Sequence, residues 1–148
     1  MKECIMKKLE FIKLHEDAVL PTKANDTDAG FDITATSIVY DPHGNYVYTT
    51  GLSVNIPKGY VGLIFPRSSI SKKSLMLTNS VGVIDHGYNG EILFKFKVTA
   101  EYGTANFYKP GDRIGQLVLM PLEQFEPEFV TAFSSDFDRG GGFGSTGE

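Results

Sequence analysis

Apolar side chains recur at every second residue in long stretches of this chain, and turn signals interrupt them about every ten residues. Leu52, Val54 and Ile56 alternate with polar neighbours, and Ile92, Phe94, Phe96 and Val98 alternate around Lys95 and Lys97. A period of two puts one face of a strand on a core and the other in water. Two stretches, 61–65 and 117–120, are continuously apolar, as expected of strands covered on both faces. Asp41-Pro42-His43-Gly44, Pro57-Lys58-Gly59 and Lys109-Pro110-Gly111-Asp112 separate the strands. In such turns Pro presets φ at the second position and Gly supplies positive φ. The pattern predicts an all-β sandwich or barrel with one short helix near 69–75. No internal repeat or second domain is visible.

The 148 residues are enough for one domain, and 41% hydrophobic with 22% charged residues is an ordinary globular mixture. The single Cys4 excludes an internal disulfide. No run of about 18 apolar residues exists to span a membrane. Lys2, Glu3, Lys7, Lys8 and Glu10 break the N-terminus too often for a signal-peptide core. The expected compartment is a reducing cytoplasm, or the host's cytoplasm for a phage or viral protein. Net charge is −4 and the pI about 5.4. The longest basic runs are the pairs Lys7-Lys8 and Lys72-Lys73, too little to displace counterions from nucleic acid. No nucleic-acid or membrane partner is therefore expected.

Several chemistries find no support. Residues 142–147 match G-x-G-x-x-G, but only Glu148 follows, so they cannot open a dinucleotide-binding helix. No P-loop exists. His15, His43 and His86 are scattered, with no Cys or His at zinc spacing and no Ser-centred nucleophile motif. Instead, acids, hydroxyls and arginines gather in loops. Asp28 and Asp32 flank Ala29-Gly30-Phe31, and Arg67-Ser68-Ser69 follows an apolar strand and Pro66. Asp85 and Tyr88 lie in 82–91, which reads as a β-hairpin tip, and Gln116 follows Gly111-Asp112-Arg113-Ile114-Gly115. Taken singly, a loop Asp is a turn former, Arg67 a surface ion pair and Tyr88 a strand aromatic. Together they suit a polyphosphate: arginine and hydroxyl donors fit phosphate oxygens, and a carboxylate can hold Mg²⁺ waters or activate an attacking water.

The last residues differ from the rest. Residues 134–148 hold five glycines and few aliphatics, a composition that cannot offset its own ordering entropy by burial. Composition alone reads as a disordered terminus. Arg139, Phe143, Ser145 and Thr146 are out of place in a plain spacer.

Five motifs in order carry a resemblance to the trimeric dUTP pyrophosphatases (dUTPases). They are 28–33 (DAGFDI), 66–69 (PRSS), 82–91 (GVIDHGYNGE), 111–117 (GDRIGQL) and the tail, 139–147. The resemblance implies a distorted antiparallel β-barrel of jelly-roll, β-clip type. The barrel would occupy 1–133 and a flexible arm 134–148. It implies a homotrimer whose active sites take parts from three subunits, with the arm closing over them. It also implies hydrolysis of dUTP to dUMP and pyrophosphate with Mg²⁺, which lowers dUTP and supplies dUMP for thymidylate.

Residue roles follow from the same resemblance. Asp85 becomes the general base that activates water for attack on the α-phosphorus, and it also meets the 3′-hydroxyl. Tyr88 lies under the deoxyribose and excludes a 2′-hydroxyl. Asn79, Val83, Ile84 and Leu93 flank the uracil edge. Ser68, Ser69 and Gln116 hold the α- and β-phosphates, and Arg67 braces the phosphates or the arm. Asp32 meets Mg²⁺ through water. Phe143 stacks on uracil, while Arg139, Ser145 and Thr146 reach the γ-phosphate. Two departures stand out: the arm motif is one residue shorter than usual before Phe143, and His86-Gly87 replaces an acidic pair.

Two other readings share the fold. In dCTP deaminases the catalytic Glu lies ten residues after the hairpin Asp, where this chain has Lys95, and a Trp usually stands at Tyr88. A catalytically silent regulatory module is opposed by the intact Asp85, Tyr88 and Gln116.

Overall fold

The computed structural model describes residues 6–101, 103–142 and 147. Ten short strands follow one another: β1 (Glu10–Lys13), β2 (Phe31–Thr34), β3 (Ser37–Tyr40), β4 (Tyr46–Thr49), β5 (Leu52–Asn55), β6 (Tyr60–Phe65), β7 (Leu75–Leu77), β8 (Gly82–Ile84), β9 (Leu93–Val98) and β10 (Arg113–Pro121). Two four-stranded sheets have the orders β2-β10-β6-β8 and β3-β4-β9-β7, and β1 pairs with β5. Every pairing is antiparallel. This is the all-β architecture that the periodicity predicts and the jelly-roll that the resemblance implies.

The alternation works as expected. Leu52, Val54, Ile56, Ile92, Phe94 and Phe96 are buried, with Lys95 and Lys97 outside. Tyr48, Phe94 and Phe96 are fully buried, and Tyr48 meets Phe96 edge-on with centroids 5.5 Å apart. The Tyr48 hydroxyl donates to the Tyr108 carbonyl at 2.9 Å, and burial pushes its pKa up to about 12. Val98 is the exception: it ends β9 and is exposed.

The structure departs from the sequence reading in four places. The helix is a 3₁₀ turn at Ser68–Lys72, ending earlier than expected because Lys73 is extended and Leu75 enters β7. Strands β6 and β10 are fully covered on one face only, with Val61 the one buried residue of β6 on the other. Their outer face carries half-buried Leu63, Phe65 and Val118, with exposed Val83 and Met120 on the same side. The segment 82–91 is not the tip of a paired hairpin: β8 joins one sheet and β9 the other, so the strands diverge. Finally, the strands end at Pro121, and 122–142 run exposed without regular structure. Phe125, Phe129, Phe133 and Phe137 there are between 82% and 109% exposed. Among the described residues no helix is long and apolar enough to cross a membrane.

Candidate active site

Divergence of β8 and β9 opens a cleft of about 300 Å³. Asn79, Val83, Ile84, Tyr88 and Leu93, five of the expected uracil and sugar residues, line it. Asn79 sits in a tight turn: Ser80 takes positive φ (62°), and its N–H bonds the Leu77 carbonyl at 3.1 Å. The crossover after β8 is stapled to the β5 region at successive points. The Ile56 carbonyl accepts from His86 Nδ1 (2.7 Å), and the Asn89 carbonyl accepts from Ser53 Oγ (3.0 Å). Glu91 Oε1 accepts the Gly51 N–H (2.7 Å), and Thr50 Oγ1 donates to the Ile92 carbonyl (2.7 Å). These bonds make the crossover a rigid wall rather than a loose loop, which gives His86 a structural task that its sequence context did not reveal.

Asp85 and Tyr88 lie on that wall. The Tyr88 N–H closes a turn onto the Asp85 carbonyl at 3.2 Å, and Gly87 takes the positive φ (90°) that the turn needs. The Asp85 residue is exposed beside the cleft rather than among its lining. The Tyr88 ring lies across Gly90, and its hydroxyl donates to the Glu91 carbonyl at 3.2 Å. A Cβ on Gly90 would occupy the ring's place, so Gly90 is what lets the ring lie flat.

A second cleft, about 360 Å³, gathers Asp28, Gly30, Asp32, Arg67, Ser68 and Gln116. Sheet register places them: Gln116 on β10 stands opposite Asp32 on β2 and Phe65 on β6, and Arg67 and Ser68 follow two and three residues after Phe65. Arg67 Nε donates to Asp32 Oδ1 at 2.9 Å, Arg113 to Oδ2 at 3.4 Å, and Gln116 Nε2 to the Pro66 carbonyl at 3.0 Å. Asp28 Oδ2 accepts from the backbone and side-chain nitrogens of Asn25 at 3.0 and 3.3 Å. The result is a polar cup of guanidinium, hydroxyl, amide and carboxylate, suited to phosphate oxygens.

Ser69 lies apart from this lining. Its hydroxyl shares a 2.8 Å bond with that of Tyr108, a largely buried ring. Arg139 is exposed on the tail, in neither cleft. Phe143, Ser145 and Thr146 lie outside the described residues. The two clefts have no lining residue in common.

Residues not anticipated for the site are Thr78, Glu91 and Lys95 in the first cleft and Arg113 beside the second. Period two could have found Glu91 and Lys95, since 91, 93 and 95 share one face of a strand. Lys95 Nζ donates to Asp41 Oδ2 at 3.3 Å. Asp41 also accepts from the Asn45 side chain (2.8 Å), the Asn45 N–H (2.9 Å) and the His43 N–H (2.9 Å). These donors, the Asn45 amide foremost, hold the Asp41 carboxyl well below the usual carboxylate range.

No group of three metal-ligating side chains exists among the described residues. Asp32 shares the cleft with Asp28, and its two oxygens each take one arginine bond. Each oxygen keeps a further lone pair for a metal-bound water. That suits Mg²⁺, which keeps several waters and is commonly carried by one or two carboxylates plus substrate phosphates. The donor set therefore fits an ion that arrives on a polyphosphate.

A family model described as dUTPase matches residues 16–147. The deoxyuridine 5′-triphosphate nucleotidohydrolase of Mycolicibacterium vanbaalenii is 38% identical over 146 residues, covering 94% of each chain. That of Hydrogenobaculum sp. is 36% identical over 143 residues, covering 95% of this chain and 98% of the relative. Among solved structures, a mutant dUTPase of Staphylococcus bacteriophage 80alpha with dUpNHpp superposes with a TM-score of 0.83 at 31% identity, over 97% of this chain and 100% of that one. A mutant dUTPase from phage phi11 of S. aureus, described with a structural Mg(II) ion, superposes at 0.72 with 30% identity, over 86% and 99%. Fold, motif order and relatives agree, and the chain belongs to the dUTPase family.

Proposed function

We propose that this chain hydrolyses dUTP to dUMP and pyrophosphate as a homotrimer with active sites shared between subunits, lowering dUTP and supplying dUMP for thymidylate in a cell's or phage host's cytoplasm. The observation that carries this reading is the division of the candidate residues between two clefts. One, walled by Asn79, Val83, Ile84, Tyr88 and Leu93, suits a pyrimidine nucleoside. The other, with Arg67, Ser68 and Gln116, suits phosphates. The uncovered apolar face of β6, β8 and β10 and the four exposed phenylalanines of the tail favour assembly with further copies.

In this mechanism uracil enters between β8 and β9, and backbone groups there pair with its edge. A cytosine would leave those groups unpaired, a penalty that can reach about 10⁴ in rate. Thymine's methyl is excluded by clash with the wall, since a soft pocket discriminates one methyl by only about 1–3 kcal/mol. The Tyr88 ring packs under the deoxyribose. Asp85 takes a proton from a water as its oxygen bonds to the α-phosphorus, and the bond from that phosphorus to the α–β bridging oxygen breaks. Pyrophosphate leaves with the electron pair. Ser68, Gln116 and a neighbour's Arg139, Ser145 and Thr146 hold the chain of phosphates in line, and Phe143 stacks on the base. Asp32, with Arg67 and Arg113 fixing its orientation, would hold the water shell of Mg²⁺. When bound, the ion supplies charge neutralisation on the phosphates.

A nucleotide panel assayed for pyrophosphate release tests the reading. Release from dUTP well above that from dCTP, dTTP and UTP is expected. Equal release from all four, or none from dUTP, refutes it.

A further inference from the structure

We propose that Lys95 is a specificity-determining residue for the base, using its ammonium to favour a pyrimidine carbonyl over an exocyclic amine. The inference rests on the reading that the base occupies the cleft between β8 and β9.

Three observations carry it. Lys95 lines this cleft and is the only cation among its lining residues. It follows Leu93 on the same face of β9 and shares the lining with Val83 and Ile84. Its ammonium is also anchored from outside the lining. Asp41, which is not part of the lining, takes one bond from it at 3.3 Å. Asp41 is itself fixed by Asn45 and the His43 backbone, and Asn45 Oδ1 accepts from Thr78 Oγ1, a lining residue, at 2.8 Å. The anchor therefore stays charged and in place whether or not a ligand is bound. An ammonium has three donors and no acceptor. One is engaged by Asp41, which leaves two for a ligand. The lining's carboxylate, Glu91, is already bonded to the Gly51 N–H.

A donor-only group reads a base by what it rejects. The edge of uracil carries two carbonyl oxygens, both acceptors. In cytosine one of them is replaced by an amine, a donor. A carbonyl meeting Lys95 gains a charge-assisted hydrogen bond. An amine at the same point meets a like-signed donor and leaves both groups unpaired. The Lys95 side chain is half exposed, so the effect is expected at the lower end of the range for a charged hydrogen bond, about tenfold.

The test compares the full chain with Lys95→Met, which keeps most of the stem and loses the charge, and with Lys95→Arg. Asp41 keeps its Asn45 and His43 bonds in both, so the fold is expected to hold. The readouts are kcat and KM for dUTP and dCTP by pyrophosphate release, and calorimetric affinities for dUMP and dCMP. Lys95→Met should lower the dUTP/dCTP ratio of kcat/KM about tenfold, through a raised KM for dUTP with kcat within about twofold. Lys95→Arg should retain most of the ratio. A ratio within twofold of the parent in folded Lys95→Met overturns the inference and leaves the proposed function standing. If Lys95→Met shows no cooperative melt, Lys95→Gln replaces it under the same criteria. If the parent releases no pyrophosphate from dUTP, the functional reading falls, and the dUMP/dCMP affinity ratio decides Lys95 alone: lost preference in the Met variant supports it, and an unchanged preference overturns it.

Discussion

Gly90→Ala should separate stability from sugar selectivity, because the three atoms nearest the new methyl all belong to one side chain. A Cβ on Gly90 would lie at or under 3.0 Å from three atoms of the Tyr88 ring and hydroxyl, with the ring carbon Cε2 the farthest at 3.0 Å. Gly90 is not in the left-handed region, so Ala fits its backbone. Tyr88 is 48% exposed and can swing into solvent. Swinging out forfeits the exposed 3.2 Å bond to the Glu91 carbonyl, worth about 0.5 kcal/mol at the low end of the range. Against this, Gly→Ala at a compatible site stabilises by about 0.4–1 kcal/mol through the unfolded chain. The sum is within about 0.5 kcal/mol of zero, or about 2 °C in Tm. Function should not be so forgiving. With the ring displaced, the space against the deoxyribose opens, and discrimination of the kind one small group supplies, about 1–3 kcal/mol, is lost. The dUTP/UTP ratio of kcat/KM should therefore fall at least tenfold. Pyrophosphate release with both nucleotides and a thermal melt read the two effects. An unchanged ratio in Gly90→Ala would refute the claim that the Tyr88 ring sets sugar choice.

Three further outcomes follow from the geometry. Asp85→Asn should lower kcat by about 10²–10⁴ while leaving dUMP affinity largely intact, since Asn keeps the shape without the proton affinity; near-parental turnover would remove Asp85 as the base. Asp41→Asn should lower Tm at neutral pH, with the deficit shrinking as pH falls below the ordinary Asp value of 3.8. The depressed carboxyl in the folded chain stabilises it above that value and loses its effect as pH drops through the folded pKa, so a deficit that is constant with pH contradicts the assignment. Co-refolded Asp85→Asn and Gln116→Ala chains should exceed the activity of either variant alone in particles of about three times 16.3 kDa by light scattering, because some shared sites then combine two intact clefts. Activity no higher than the sum of the separate variants would mean that each chain completes its own site.

What was legible in the sequence was what repeats locally. Buried Leu52, Val54, Ile56, Ile92, Phe94 and Phe96 follow from alternation, and the turns at Pro57 and Pro110 from their residue types. Asn79, Val83, Ile84, Tyr88 and Leu93 fall in one cleft because three of them lie on the short divergent strands and the others in the turns beside them. The remainder depends on partners far along the chain. Ser69 gives its hydroxyl to Tyr108 because a largely buried phenol needs a partner, and nothing near position 69 encodes that need. The wall that carries Asp85 is rigid through Gly51, Thr50, Ser53 and Ile56, all on or next to β5. A sequence reading that saw 82–91 as a simple hairpin had no means of placing its two arms in different sheets.

The sheet order sets where the two clefts lie. The phosphate cup forms where β2 and β10 adjoin the end of β6, while the base cleft opens at β8, the opposite edge of the same sheet. Three strand spacings of about 4.8 Å put β2 and β8 roughly 14 Å apart. Both clefts also border β6, the base cleft through Ile64 and the phosphate cup through Arg67 and Ser68 just beyond its end. In the proposed homotrimer a base cleft would meet the phosphate cup of a second copy, and the two surfaces that meet are different patches. Contact between different patches is heterologous, and where its rotation closes it gives a ring rather than a two-fold dimer. In such a ring the outer face with Leu63, Phe65, Val83, Val118 and Met120 gains the cover that the continuous apolar runs of β6 and β10 anticipate. The same arrangement that completes the site would then also bury the surface that a lone chain leaves in water.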